Sequence, residues 1–175
     1  DGRPRRHTLC PGPRPARSAA WRGPRLHRPV WKCLPDVNCG DVDVLPTDMP
    51  PGTGDIAISI GQLLRHAEVL VVTRPQAAAA EVAIRSGLVA RQTGQRVIGV
   101  VENMAGLTLP DGTVVDLFGA GGGAAVAEAL SSDGADVPLL ASSPLSPAPR
   151  AGGDAGAPVV REAETDAAAE AIRSR

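Results

Sequence analysis

Aromatic side chains are nearly missing from this sequence: two tryptophans, one phenylalanine and no tyrosine. A core must then come from Ala, Val, Leu and Ile, which favours helices packed closely on a sheet over an aromatic-rich all-β core. Lysine is scarcer still, with Lys32 the only one in 175 residues. The cysteines are Cys10, Cys33 and Cys39, an odd count that speaks against a disulfide framework. No apolar run approaches the ~20 residues that a membrane helix needs. The basic start is not followed by the apolar stretch of a secretory signal. These absences lead to the expectation of a cytoplasmic protein in a reducing compartment, without membrane contact.

Acidic residues are absent from one stretch only. None stands between Gly2 and Pro35, where eight arginines accompany Lys32, and from Asp36 onward acids outnumber bases. Runs such as Pro11-Gly12-Pro13-Arg14-Pro15 can build neither a helix nor a sheet ladder. Residues 1–35 are therefore expected to stand outside the fold, as a disordered or out-of-frame segment. A basic nucleic-acid arm is the compositional alternative; no nucleic acid is expected as a partner. His7, Cys10, His27 and Cys33 have spacings that fit no standard zinc pattern.

What is present begins near residue 36. The pattern predicts a short strand over 42–45, a turn-rich loop, and a helix over 56–64 with Asp55 as its N-cap. Val69-Leu70-Val71-Val72-Thr73 is a continuous apolar run, expected to be a strand buried on both faces. A helix over 76–92 follows, stopped at Gly94, and then a strand over 97–101. Asp111-Gly112 marks a hairpin turn between 107–109 and 114–115. A glycine run over 119–123 opens a helix over 124–130, and a last strand spans 137–140. A Pro/Ser-rich loop leads to a helix over 162–173. This alternation implies an α/β fold: a parallel sheet with helices on both faces. Functional loops then belong at the carboxyl ends of the strands.

The strongest local motif is Asp48-Met49-Pro50-Pro51-Gly52-Thr53-Gly54-Asp55, directly after the first expected strand. A carboxylate at that position can hold Mg²⁺ through water. Gly52 and Gly54 would let the backbone approach a phosphate closely. Four further blocks stand downstream: Val71-Val72-Thr73-Arg74-Pro75-Gln76, Gly99-Val100-Val101-Glu102-Asn103-Met104, Phe118-Gly119-Ala120-Gly121-Gly122-Gly123 and Gly153-Asp154-Ala155-Gly156-Ala157-Pro158. In this order the blocks resemble the Mrp-type iron–sulfur cluster carriers, within the MinD/ParA-like class of P-loop ATPases. The resemblance covers roughly residues 36–160, a partial P-loop ATPase domain, with 161–175 as a C-terminal helix or tail.

The resemblance implies an ATP-dependent iron–sulfur cluster carrier. It implies ATP and Mg²⁺ as cofactors, a homodimer, and recipient apo iron–sulfur proteins as partners. Asp48 matches the Walker B aspartate. Asn103 matches the asparagine that reads the adenine edge, a role an amide suits because it both donates and accepts. Without the resemblance Asn103 reads as a turn residue capping its strand. Pro144 and Leu145 match a loop lining the base pocket, although Ser146 and Pro149 depart from that loop's usual pattern. Asp55 either supports the switch loop or caps its helix. The glycine run over 119–123 lacks a following Lys-Ser/Thr, so it is scaffold or, by its free N–H groups, an anion cradle.

Two departures from the family pattern stand out. No glycine–lysine phosphate loop occurs, and Lys32, in Val30-Trp31-Lys32-Cys33, is not part of one. The span 105–117, where many members carry Cys-x-x-Cys, holds no cysteine. An incomplete copy with impaired ATP turnover is the resulting expectation. A MinD/ParA-like positioning ATPase acting on protein and membrane partners, and a non-functional remnant, are the alternatives.

Overall fold

The structure, a computed structural model, describes residues 43–49, 54–131, 134–162 and 166–173. The basic segment 1–35, Val42, Gly52 and all three cysteines lie outside the described residues.

Among the described residues, helix α1 (Asp55–Leu63) comes first. Its N-cap is Gly54 and not Asp55, as the sequence suggested. The Gly54 carbonyl accepts the Ala57 and Ile58 N–H groups at 2.9 and 3.4 Å. Asp55 stands one residue later, in the first turn, where its charge favours the positive end of the helix dipole. The strand expected over 42–45 does not form in its described part. Residues 43–49 make no ladder, and Val44 and Leu45 are exposed. A strand exists only through a neighbour's hydrogen bonds, and among the described residues none is paired to this run.

Strand β1 (Glu68–Thr73), helix α2 (Ala77–Gln92) and strand β2 (Arg96–Asn103) then form a parallel crossover unit. The register places Val69 on Val97, Val71 on Val100 and Thr73 on Glu102. Side chains alternate across a strand. Val71 and Thr73 are buried, whereas Leu70 and Val72 are 47% and 58% exposed. β1 is thus half-buried, correcting the expectation of burial on both faces. Unbroken apolar character does not report which face is covered.

α2 approaches the sheet through a stripe of small residues, Ala80, Ala83, Gly87 and Ala90. At Gly87 a Cβ would come within 2.7 Å of the Leu130 side chain, so the glycine makes room for it. Gly94, at φ +87, ends the helix turn as the sequence indicates. The hairpin of β3 (Leu107–Thr108) and β4 (Val114–Val115) is antiparallel, and Gly112 takes φ +85 in its turn.

Helix α3 (Gly122–Leu130) starts two residues before the expected 124. The last strand, β5 (Leu139–Ser143), starts two residues later than 137, because Pro138 has no N–H for a ladder. The Pro138 carbonyl still accepts the Val100 N–H at 2.9 Å. β5 pairs parallel with β2, giving the order β1-β2-β5. The core joins Val71, Val97, Val100, Val126, Leu130 and Val137 with the α2 alanines.

Beyond β5 the chain is more helical than its Pro/Ser content suggested. α4 (Ala148–Ala155), α5 (Val159–Glu162) and α6 (Ala167–Arg173) replace the loop and the single helix expected over 162–173. Pro147 and the proline of the first turn of α4 stand where a missing N–H costs nothing. Asp166 caps α6, accepting the Ala168 and Ala169 N–H groups at 3.0 and 3.1 Å. α6 packs on β5 with Ala168 and Ala169 fully buried. The fold is therefore a parallel α/β sheet carrying helices, as the sequence implies.

Leu130 is fully buried and meets both α2 and the sheet. Leu130→Ala is expected to lower unfolding stability by about 2–5 kcal/mol. Val114→Ala, on the exposed hairpin, is expected to change it by less than about 0.5 kcal/mol. Urea unfolding midpoints measure both.

Candidate functional site

The carboxyl ends of β1, β2 and β5 lie side by side, because Thr73 pairs with Glu102, and Glu102 and Asn103 pair with Ser142 and Ser143. A parallel sheet brings its loops together at this edge.

Glu102 is 6% exposed, and its carboxylate is met by donors from two other elements. The Gly123 N–H donates to Oε1 at 2.8 Å, and the Ser142 hydroxyl donates to Oε2 at 2.7 Å. A carboxylate against the first turn of α3 also gains from the helix dipole. The glycines make this approach possible. A Cβ at Gly123 would lie 2.7 Å from the Glu102 Cβ, and one at Gly122 would lie 2.6 Å from the Arg74 and Pro75 carbonyl oxygens. Gly121 caps the helix at φ +84. The glycine run is scaffold, then, and the anion at its helix end is Glu102 itself.

Asn103 follows at the exposed end of β2. Its Oδ1 accepts the Met104 N–H at 2.8 Å. Met104 takes φ +61, the only non-glycine residue at positive φ among the described residues. That conformation costs of order 1 kcal/mol or more and needs outside support. Support comes from the exit of β5: the Ala105 N–H donates to the Ser143 carbonyl at 2.9 Å, and the Leu145 N–H donates to the Gly106 carbonyl at 2.8 Å. The loop after β2 and the loop carrying Pro144 and Leu145 are thereby stitched together. Asn103 and that loop thus share one rim.

Ser146 extends the rim. Its hydroxyl donates to Asp166 Oδ2 at 2.7 Å and accepts the Ala148 N–H at 3.1 Å. That bond is the main cause holding the Asp166 carboxyl below the ordinary carboxylate value. Partial burial pushes the other way, and the Ala169 and Ala168 N–H groups and Arg173 add to the lowering. On the hairpin the Thr113 N–H and hydroxyl likewise lower Asp111. Arg74, at the end of β1, stands over the Phe118 ring at 5.9 Å from its centre.

The remaining expected residues belong to the segment before β1. Asp48 is exposed in the run 43–49, and no hydrogen bond or ion pair joins it to Asn103, Pro144 or Leu145. Gly54 caps α1, and a Cβ there would meet nothing within 4 Å. Gly52 lies outside the described residues. Among the described residues no three His, Cys, Asp or Glu side chains converge as metal ligands. An open cleft of about 490 Å³ is lined by Gln62, Arg65, His66, Gln92, Thr93 and Gly94. These residues precede β1 and β2, so the cleft lies at the amino ends, away from the rim. Glu102 is the residue that sequence reasoning passed over. Its signal was available: a lone acid on the same strand face as Val100, hence buried and in need of donors.

Among the described residues a three-stranded parallel sheet gathers its loops at one carboxyl edge, where ligands of open α/β sheets commonly bind. The fold matches MinD from Pyrococcus horikoshii, solved with Mg-ADP, at TM-score 0.57 and 23% identity, over 85% of this chain and 52% of that one. It also matches a nucleotide-binding protein from Archaeoglobus fulgidus, solved with ADP, at TM-score 0.55 and 30% identity over 69% and 48%. The family described as "ParA: NUBPL iron-transfer P-loop NTPase" matches residues 12–174, beyond the span 36–160 on both sides, and the chain belongs to that family. The iron–sulfur cluster carrier protein of Mycobacterium bovis is 59% identical over 155 residues. That alignment takes in 88% of this chain but only 41% of the relative, so the chain spans about two fifths of its length.

The depressed Asp166 carboxyl sets a pH dependence. A folded value below the ordinary 3.8 adds stability that is present above 3.8 and lost as pH falls through the folded value. Thermal stability is expected to fall as the pH drops from about 3.8 through the lower folded value, and to fall less in Ser146→Ala. Comparing melting temperatures across that range isolates the Ser146 contribution from that of Asp111.

Proposed function

We propose that this chain is part of an ATP-dependent iron–sulfur cluster carrier, and that its described residues form the base-binding rim of the nucleotide site. The observation carrying this reading is the pair of backbone hydrogen bonds, Ala105 to Ser143 and Leu145 to Gly106, that sets Asn103 beside Pro144 and Leu145. Family membership and the names of the relatives supply the class of activity.

The residues fit the adenine half of the nucleotide. Asn103 Oδ1 is engaged by its own turn, which fixes the amide plane and leaves the Nδ2 hydrogens to donate to a ring nitrogen. Pro144 and Leu145 offer an apolar wall. The phosphate half fits less well. Asp48 would hold Mg²⁺ through water, with Gly52 and Gly54 in the adjoining loop, but no group of three His, Cys, Asp or Glu side chains includes Asp48 among the described residues. Lys32 does not stand in a glycine loop. Phosphoryl transfer is driven by electrostatic clamping of the phosphates, and this chain alone is expected to turn over almost no ATP.

The cargo would be the cluster, with apo iron–sulfur proteins as recipients and a homodimer as the working form, in the cytoplasm. No helix among the described residues is long and apolar enough to cross a membrane. α6 turns its alanines onto β5, so no observation here favours a membrane-positioning role. A thiolate bridge from the hairpin is not available, because residues 105–117 contain no cysteine.

Titration and cluster reconstitution test this. Adenosine titrated into the chain should shift the amide signals of Asn103 and Met104, and Asn103→Ala should weaken binding about tenfold, the loss of one or two hydrogen bonds. ATP should bind hardly more tightly than adenosine; a Mg²⁺-dependent gain abolished by Asp48→Asn would instead give this chain a working phosphate site. Anaerobic reconstitution with iron and sulfide should leave the chain colourless. A thiolate-to-iron band lost in Cys39→Ser would make Cys39 a ligand.

A further inference from the structure

We propose that Asp166 is a positioning residue for the base-binding loop, acting through Ser146 and clamping the start of α6 to that loop. The inference rests on the base-site reading above but makes a claim about the chain that can be measured without nucleotide.

The geometry is a relay of five hydrogen bonds. Asp166 Oδ1 holds the first turn of α6 through the Ala168 and Ala169 N–H groups. Its Oδ2 takes the Ser146 hydroxyl proton at 2.7 Å. Ser146 is the residue after Leu145, whose N–H donates to Gly106 at 2.8 Å. Gly106 in turn donates to the Met104 carbonyl at 3.1 Å, in the turn that orients Asn103. α6 is itself anchored, because Ala168 and Ala169 are fully buried on β5. The carboxylate thus divides its two oxygens between a fixed helix and a loop that has no ladder of its own. Serine hydroxyls rotate freely, but here the Ala148 N–H occupies the Ser146 oxygen and directs its proton to Asp166. A charge-assisted O–H···O⁻ bond is among the stronger polar contacts a surface loop can have.

Chemistry also dictates what fails. A second carboxylate at 146 would face Asp166 across a hydrogen-bond distance and repel it. Exchanging the two groups would restore one donor and one acceptor, because serine also caps a helix well.

Amide hydrogen exchange of the full chain tests the relay. Ser146→Ala should speed exchange of the Leu145 and Ala105 amides about five- to tenfold, the loss of one such bond, with the Val100 amide of the sheet unchanged. Ser146→Asp should speed it at least as much, and Ser146→Asp combined with Asp166→Ser should bring it back. Equal loop exchange in parent and Ser146→Ala, or no rescue in the exchanged pair, overturns the relay. Adenosine titration is the second arm. Binding weakened in Ser146→Ala and recovered in the exchanged pair supports positioning. Unchanged binding refutes it even where exchange has risen. A parent that does not bind adenosine refutes the base-site reading, and with it the positioning of a base loop, while the exchange arm still decides whether the relay exists.

Discussion

Glu102 takes a carboxyl group into a buried place, with no ion pair to it among the described residues, and the rim is built around the donors that satisfy it. Burying an unpaired carboxylate is prohibitively costly unless donors replace water. Two donors do so, from α3 and from β5. To reach the carboxylate, α3 must bring its backbone almost onto the sheet, which only glycine at 122 and 123 permits. That approach brings Val126, Ala127 and Leu130 into one core with Val97 and Val100 of β2. The same residue that organises the polar edge thereby sets the depth of the apolar core.

The rim passes this order outward in steps. Glu102 fixes the end of β2, and the next two residues form the turn that holds Asn103 and forces Met104 to positive φ. Backbone bonds from that turn to β5 keep the strain in place. The apolar hairpin beyond it, with Val114 and Leu117 exposed, adds little to the core and leaves the rim open to solvent. Loops gathered at the carboxyl edge of a parallel sheet are where small molecules commonly bind.

Much of the fold was legible in the sequence, and the failures have physical causes. The β-branched runs of β1 and β2, the alanine stripe of α2 and the glycine at 94 declared themselves through periodicity and turn chemistry. The strand near 42–45 did not form in its described part because its propensity found no neighbouring ladder. The helices α4 and α5 were hidden by their Pro and Gly content, although proline suits the first turn in which α4 carries it. Of the candidate site, Asn103, Pro144 and Leu145 fall together at one rim. The assignment of Asp48 rests on motif resemblance. Ser146, noted as a departure from the family pattern, has a partner in Asp166 that lies 20 residues away and that no local motif could reveal.

The central claim is that the β2 and β5 exits form a base site while the cleft at the amino ends does not. Intermolecular nuclear Overhauser contacts from the adenine protons of bound adenosine test it most directly. Contacts to Asn103 and Leu145 are the expected result. Contacts to Gln62, His66 and Thr93, with none at the rim, would contradict it.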